Sequence, residues 1–364
     1  MESQKVLLLL KRALFGWSSF LSIKNKLETF IKKQKEIDNQ DSFEQNMLDF
    51  QTNIVDQTIH SKIFEEFPPC TKSTKAFIKK LLLVFEHYQI EGHASLYDYV
   101  TNVEIMHTSK VNNFKTYFDE SGNHLVSLVE KSDLICDGTT GLRTWQAGKF
   151  LFEWMSNNIH DSHRINNKSI LELGSGVGYT GLCIFKDKKI APRCVTLTDH
   201  HSSVLDTLCQ NAIANVCKTQ NTDQSKNENS QFVVTKAIEF PKRFTTSDGL
   251  NERTLIIDCL DWEHFDAEES NSHMNACDIV IGADIVFDVS VIPHLIHVII
   301  RFLKDLGTEK VILANCIRNE ETDTFFMNEL SKQSVDVIIE KHFVDEQLPL
   351  YLYIIQKCKD SVNE

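Results

Sequence analysis

The feature that most constrains this chain is an apolar run that passes without a break into closely spaced glycines: Ile170-Leu171-Glu172-Leu173-Gly174-Ser175-Gly176-Val177-Gly178. A short run of that kind suits a buried strand, and the glycines allow a sharp turn in which backbone amides approach a nucleotide-like ligand before a helix begins. The same alternation continues downstream. Strand patterns at Ser169–Leu173, Cys194–Thr198, Thr254–Leu260, Asp278–Ala283, Val311–Ala314, Val335–Ile339 and Leu350–Ile355 are interleaved with helical patterns at Thr180–Phe185, Val204–Val216, Val291–Leu303 and Glu321–Leu330. Another helical pattern, Thr144–Trp154, precedes them. Strands and helices in this order predict a parallel α/β sheet with helices on both faces.

The first 110 residues read differently. Leu81, Leu82, Phe85 and Tyr88 recur at helical spacing, Val6–Leu10 is a short helical run, and no glycine-rich loop occurs. The expectation is a helical domain over 1–110, interrupted at Pro68-Pro69 because proline lacks a backbone donor and restricts its predecessor. Thr116–Glu130, with Glu120-Ser121-Gly122-Asn123 as its turn, predicts a β-hairpin over 111–130 that leads into a second domain at 131–364. Residues 219–230 are almost wholly polar, a composition that cannot offset its ordering entropy, and are expected to be a disordered insertion. No internal repeat is evident.

Composition narrows the function. Lys plus Arg number 38 against 51 Asp plus Glu, a net charge of -13 that would repel a phosphate backbone, so nucleic acid is not an expected partner. Val6–Leu10 is too short for a signal core or a membrane span, and the ten cysteines form no C-x-x-C pair. Reduced thiols are therefore expected, in a cytoplasmic or else nuclear location, with no membrane association. The adjacent His200 and His201 lack carboxylate or cysteine companions at ligand spacing, so no metal site is assigned.

Four strand ends carry the chemistry. The glycine turn alone also suits a dinucleotide, but Glu172, two residues before Gly174, would oppose a pyrophosphate and favour a cationic methionyl group. Asp199 ends the next strand where a carboxylate can accept from both ribose hydroxyls, or else cap the following helix. Leu260-Asp261-Trp262 sets a carboxylate beside an indole, suited to an adenine amine and face, although a core tryptophan fits as well. Asp284 ends the strand Asp278–Ala283. Ligands of open α/β sheets bind at the C-terminal strand ends, so Gly174, Asp199, Trp262 and Asp284 should surround one crevice.

With those residues in view the sequence resembles the seven-β-strand protein methyltransferases of family 16. Leu171–Gly178 resembles their first motif, Asp199 their acidic ribose contact, Leu260-Asp261-Trp262 their adenine-side motif, and Asp284–Phe287 their Asp-x-x-Tyr motif, with Phe287 keeping the ring and lacking the hydroxyl. Gly141-Leu142-Arg143-Thr144-Trp145 is similar to the Gly-Leu-x-x-Trp segment that covers the cofactor there. Asp137–Leu142, Asp199–Leu205 and Ile317–Thr322, together with the helical first 110 residues, resemble the branch that methylates translation elongation factor 2. The resemblance spans about residues 130–357 and implies a seven-strand Rossmann-like sheet, mostly parallel with its last strand antiparallel, beside a helical N-terminal domain that helps select the substrate.

It also implies S-adenosylmethionine as cofactor, held by Trp145, Glu172, Gly174, Ser175, Gly176, Asp199, Asp261, Trp262 and Ala283, and catalysis by Asp284 and Phe287 in a monomer acting on a lysine of elongation factor 2. Asp284 would orient the amine and the cofactor end, and Phe287 would line a narrow channel that desolvates the lysine. Three rivals accompany this reading: a binding module that kept the fold without transfer, an oxidoreductase using NAD, and a methyltransferase acting on RNA or small molecules. Glu172 and the Asp261-Trp262 pair disfavour the second; the lack of basic patches and of an Asn-Pro-Pro-Tyr-like motif disfavours the third.

Overall fold

A computed structural model describes residues 2–16, 19–102, 113–131, 138–158, 165–217, 240–247, 252–265, 277–344 and 348–358. The chain divides into two compact units, 1–130 and 131–364. The expected insertion at 219–230 lies outside the described residues.

Among the described residues of the first unit are six helices and one hairpin: α1 (Glu2–Leu14), α2 (Phe20–Ile37), α3 (Gln40–Gln57), α4 (Lys62–Glu66), α5 (Thr71–His87), α6 (Ala94–Thr101), β1 (Phe114–Phe118) and β2 (His124–Val129). Local chemistry sets several boundaries. The side chains of Ser19, Asn39, Ser61 and His93 accept from backbone N–H groups in the first turns of α2, α3, α4 and α6, which otherwise have no intrahelical acceptor. Pro68 and Pro69 fall in the break between α4 and α5. Leu81, Leu82 and Phe85 of α5 join Leu10, Leu27, Met47 and Ile54 in one core. The hairpin belongs to this unit. Its Phe118 enters the same core, the Phe118 ring lies 5.2 Å from that of Phe15, and Thr116 N donates to Phe15 O.

The second unit is an eight-stranded mixed sheet with helices. Its strands are β3 (Ser169–Leu173), β4 (Cys194–Asp199), β5 (Lys242–Ser247), β6 (Glu252–Cys259), β7 (Ile279–Ala283), β8 (Lys310–Cys316), β9 (Val335–Val344) and β10 (Leu348–Lys357), in the order β5-β6-β4-β3-β7-β8-β10-β9. The β6-β4-β3-β7-β8 pairings are parallel, whereas β10 runs antiparallel to both β8 and β9. The seven strands read from the sequence are all present. β5 is an addition, an edge strand antiparallel to β6 whose Lys242-Arg243-Phe244-Thr245 pattern offers a single large apolar residue. Such charged edge strands deter unwanted strand pairing and leave little periodic signal.

The helices are α7 (Gln146–Asn157), α8 (Tyr179–Lys186), α9 (Ser202–Val216), α10 (Ile292–Lys304) and α11 (Glu320–Ser331). Leu171, Leu173, Val280, Val311 and Leu313 pack with Leu295, Ile299 and Phe302 of α10 and Phe326 of α11. The intervening Ile170, Ile279, Ile281 and Ile312 are equally buried and point to the opposite face, since strand side chains alternate. Covering both faces explains why β3, β7 and β8 read as continuous apolar runs. Chain order reverses at β3, which pairs with β4 on one side and with β7 on the other; this reversal opens a crevice at the strand ends.

Candidate functional site

The crevice begins at the glycine turn. Gly174 has φ +60° and Gly176 φ +53°, a region costly for residues with a Cβ. A Cβ on Gly176 would lie 2.8 Å from the carbonyl oxygen of Gly141, so the 138–145 segment can approach the turn because no side chain stands there. Ser175 fastens the turn to β4: its N–H donates to Thr198 O at 2.8 Å, and its Oγ accepts from Thr198 N at 3.0 Å.

Glu172 is buried beneath this turn, with Oε2 accepting from Gly181 N at 3.1 Å. Burial pushes its carboxyl up to about 8, against the opposing pull of hydrogen bonds from Ser175, Thr180 and the Gly181 amide. Asp199 ends β4. Its Oδ2 accepts from Gly176 N at 3.1 Å, while Oδ1 accepts from the N–H groups of His200 and His201. Burial raises its pKa, and those backbone bonds oppose the rise. Asp199 thus has the cap-like local bonds that the sequence left open, and it also ties β4 to the glycine turn.

Beyond β6, Asp261 accepts from Glu263 N and lies 2.9 Å from His264 Nδ1. The Trp262 ring lies beside Gly174, where a Cβ would come within 3.5 Å of it. Across the crevice, Trp145 opens α7 and its Nε1 donates to Thr140 O at 3.2 Å.

Asp284 follows β7 directly. It has φ +56°, is buried, and has both carboxylate oxygens occupied. Oδ1 accepts from Cys316 N at 2.9 Å and Arg318 Nη1 at 3.0 Å; Oδ2 accepts from Arg318 Nη2 at 3.2 Å and Ala147 N at 3.3 Å. A carboxylate offers about four lone-pair sites, and these four donors engage both of its oxygens. Through these bonds the residue caps α7, closes the end of β8 and holds Arg318. Phe287 is 56% exposed at the rim of the crevice.

Trp145, Glu172, Gly174, Ser175, Gly176, Asp199, Asp261, Trp262, Ala283, Asp284 and Phe287 all line one cavity of about 280 Å³. The fold therefore brings together every site residue expected from the sequence. Sequence reasoning missed Thr180 and Glu263 in the same lining, quoted Thr139, Thr140 and Arg143 within its 137–145 phrases without giving them a role, and did not foresee Arg318 behind Asp284. The Ile317–Thr322 phrase had drawn notice to Arg318 without suggesting a partner.

Even with Glu172 held protonated by burial, the lining carboxyl groups of Asp199, Asp261 and Glu263 outnumber the single arginine, Arg143, while Asp284 is already paired with Arg318. A pyrophosphate would be repelled here, and a sulfonium or ammonium group favoured. The donors and shape thus fit S-adenosylmethionine: buried Glu172 near the glycine turn, Asp199 at a strand end and a flat indole at Trp262. Among the described residues no group of three His, Cys, Asp or Glu side chains is placed to hold a metal ion. No helix among them is long and apolar enough to cross a membrane.

Comparison with known proteins points to one family. The family described as lysine methyltransferase matches residues 131–229 and 222–333. The human protein named "Putative protein N-methyltransferase FAM86B1" is 26% identical over 91% of this chain and 90% of its own length. The mouse protein-lysine N-methyltransferase EEF2KMT is 27% identical over 78% and 75%, and the protein-lysine N-methyltransferase EFM3 of Chaetomium thermophilum is 28% identical over 60% and 54%. Since the family match extends over more than half of its 364 residues, the chain belongs to the lysine methyltransferase family.

Proposed function

We propose that this enzyme transfers methyl groups from S-adenosylmethionine to a lysine of translation elongation factor 2. The observation that carries the donor site is the convergence of the eleven expected residues on one anionic cavity at the strand ends. Support for elongation factor 2 comes from the relatives named EEF2KMT and from the Asp199–Leu205 and Ile317–Thr322 phrases. In this reading the helical unit helps select the protein substrate, and the enzyme acts in the cytoplasm as a monomer.

When bound, S-adenosylmethionine supplies an electrophilic methyl group on a sulfonium. The chain has to position that group and keep water away from the line of attack. Glu172 lies beneath the turn as a buried carboxyl that can ionise beside the cation. Asp199 would accept from the sugar and Trp262 would lie along the base. The attacking lysine must be neutral, and a free ammonium is almost wholly protonated at pH 7. Phe287, Ile285 and Val291 give the rim an apolar surface that disfavours the charged form and lowers the amine pKa. Asp284 acts by position, fixing the ends of β7, β8 and α7.

The test is methylation of purified elongation factor 2 with labelled donor, followed by peptide mass mapping. Labelling of one lysine is expected. Labelling of a different protein in an extract, with none on elongation factor 2, overturns the substrate assignment while leaving lysine methylation standing.

A further inference from the structure

Arg318 does not line the cavity, yet it reaches the segment that does. Its two terminal nitrogens grip the Asp284 carboxylate, and its guanidinium carbon lies 5.0 Å from the centre of the Trp145 ring. Arg143 approaches the same ring, also at 5.0 Å. The Trp145 indole in turn donates to Thr140 O, closing residues 140–145 into a loop whose Gly141 carbonyl lies over Gly176. Buried Leu142 anchors the middle of this loop, so Trp145 is the end whose position depends on side chains from elsewhere. Asp284 reinforces that end by accepting from Ala147 N, just inside α7.

We propose that Arg318 is a positioning residue for methyl transfer, holding the Gly141–Trp145 segment against the cofactor cavity from outside it. This rests on the reading of the cavity as the S-adenosylmethionine site. The chemistry calls for arginine in particular. A planar guanidinium can present two parallel N–H donors to a carboxylate while lying near an aromatic ring; a lysine ammonium is a point charge that cannot do both. Arg318 would therefore control how firmly Trp145 and Thr140 close on the ligand, with the protein substrate side of the cavity little affected.

The experiment compares the full chain with Arg318→Lys and Arg318→Met by calorimetric titration with S-adenosylhomocysteine, alongside melting curves of the ligand-free proteins. Both variants should bind about 10-fold more weakly, the size of effect expected from losing a fork and a ring contact. Arg318→Lys, which keeps a cation beside Asp284, should melt within about 2 °C of the wild type. In turnover assays the KM for the methyl donor should rise with the dissociation constant, and kcat at saturating donor should fall far less. Wild-type affinity in both variants overturns the proposal. So does a loss of affinity that only follows a loss of melting temperature, as a purely structural ion pair would give, or full rescue by lysine. If the wild type itself fails to bind S-adenosylhomocysteine, the cavity assignment falls and the proposal with it.

Discussion

Asp284 and Arg318, 34 residues apart in sequence, meet in a two-pronged ion pair with nitrogen–oxygen distances of 3.0 and 3.2 Å. The acid is buried and the arginine half exposed. Because the same carboxylate also accepts from Cys316 N and Ala147 N, removing it strands three donor groups at once.

Asp284→Asn should lower stability by roughly 2 kcal/mol, less than for a fully buried pair because Arg318 keeps access to water. Denaturant unfolding reads this as a shift in midpoint. Methyl transfer should fall together with it. A wild-type midpoint with turnover abolished would mean that the carboxylate meets the substrate amine after all.

Gly176→Ala tests the close approach of the covering segment. Its Cβ would meet the Gly141 carbonyl at 2.8 Å, from a backbone with φ +53°, and neither atom can yield without moving the loop. A cost of about 1–2 kcal/mol is expected from the left-handed conformation, together with weaker binding of S-adenosylhomocysteine. Unchanged binding by titration would show that the segment is free to move.

Glu172 should make stability depend on pH. Burial raises its pKa from 4.5 to about 8, so between those values the folded protein holds a proton that the unfolded chain has released. Stability of the ligand-free enzyme should therefore fall as pH climbs from about 4.5 to about 8, and Glu172→Gln should flatten that slope. Asp199, also raised by burial, contributes in the same sense. Once ionised, Glu172 favours a cation, so preference for S-adenosylmethionine over neutral S-adenosylhomocysteine should grow across the same interval. A pH-independent ratio of the two affinities would remove Glu172 from the donor site.

Phe287→Ala separates substrate from cofactor. The side chain is 56% exposed, so stability should change by less than about 0.5 kcal/mol, as for an ordinary surface position. Affinity for S-adenosylhomocysteine should persist while transfer to the protein lysine drops by about 10-fold or more, because the amine loses part of its apolar surroundings. Equal turnover at several concentrations of protein substrate would exclude Phe287 from the lysine channel.

Much of this arrangement was legible in the sequence because the signals are local. Burial on both faces writes β3, β7 and β8 as unbroken apolar runs, and the strand Ser169–Leu173 has the same limits in the sequence reading and in the structure. A strand-end carboxylate or glycine can be placed at the crevice once the alternating order of elements is known, which is why Gly174, Asp199, Trp262 and Asp284 were found together. What the tertiary structure alone decided is which partners those groups take. The sequence placed Asp284 at the cavity, but only folding brings Ala147, 137 positions away, and Arg318 onto its two oxygens. Likewise β5 exists because β6 offers it an edge, since Lys242–Ser247 has no periodicity of its own. Backbone periodicity and turn chemistry act over a few residues and leave a pattern in the chain; hydrogen bonds and charge pairs between distant segments depend on the packed geometry and leave none.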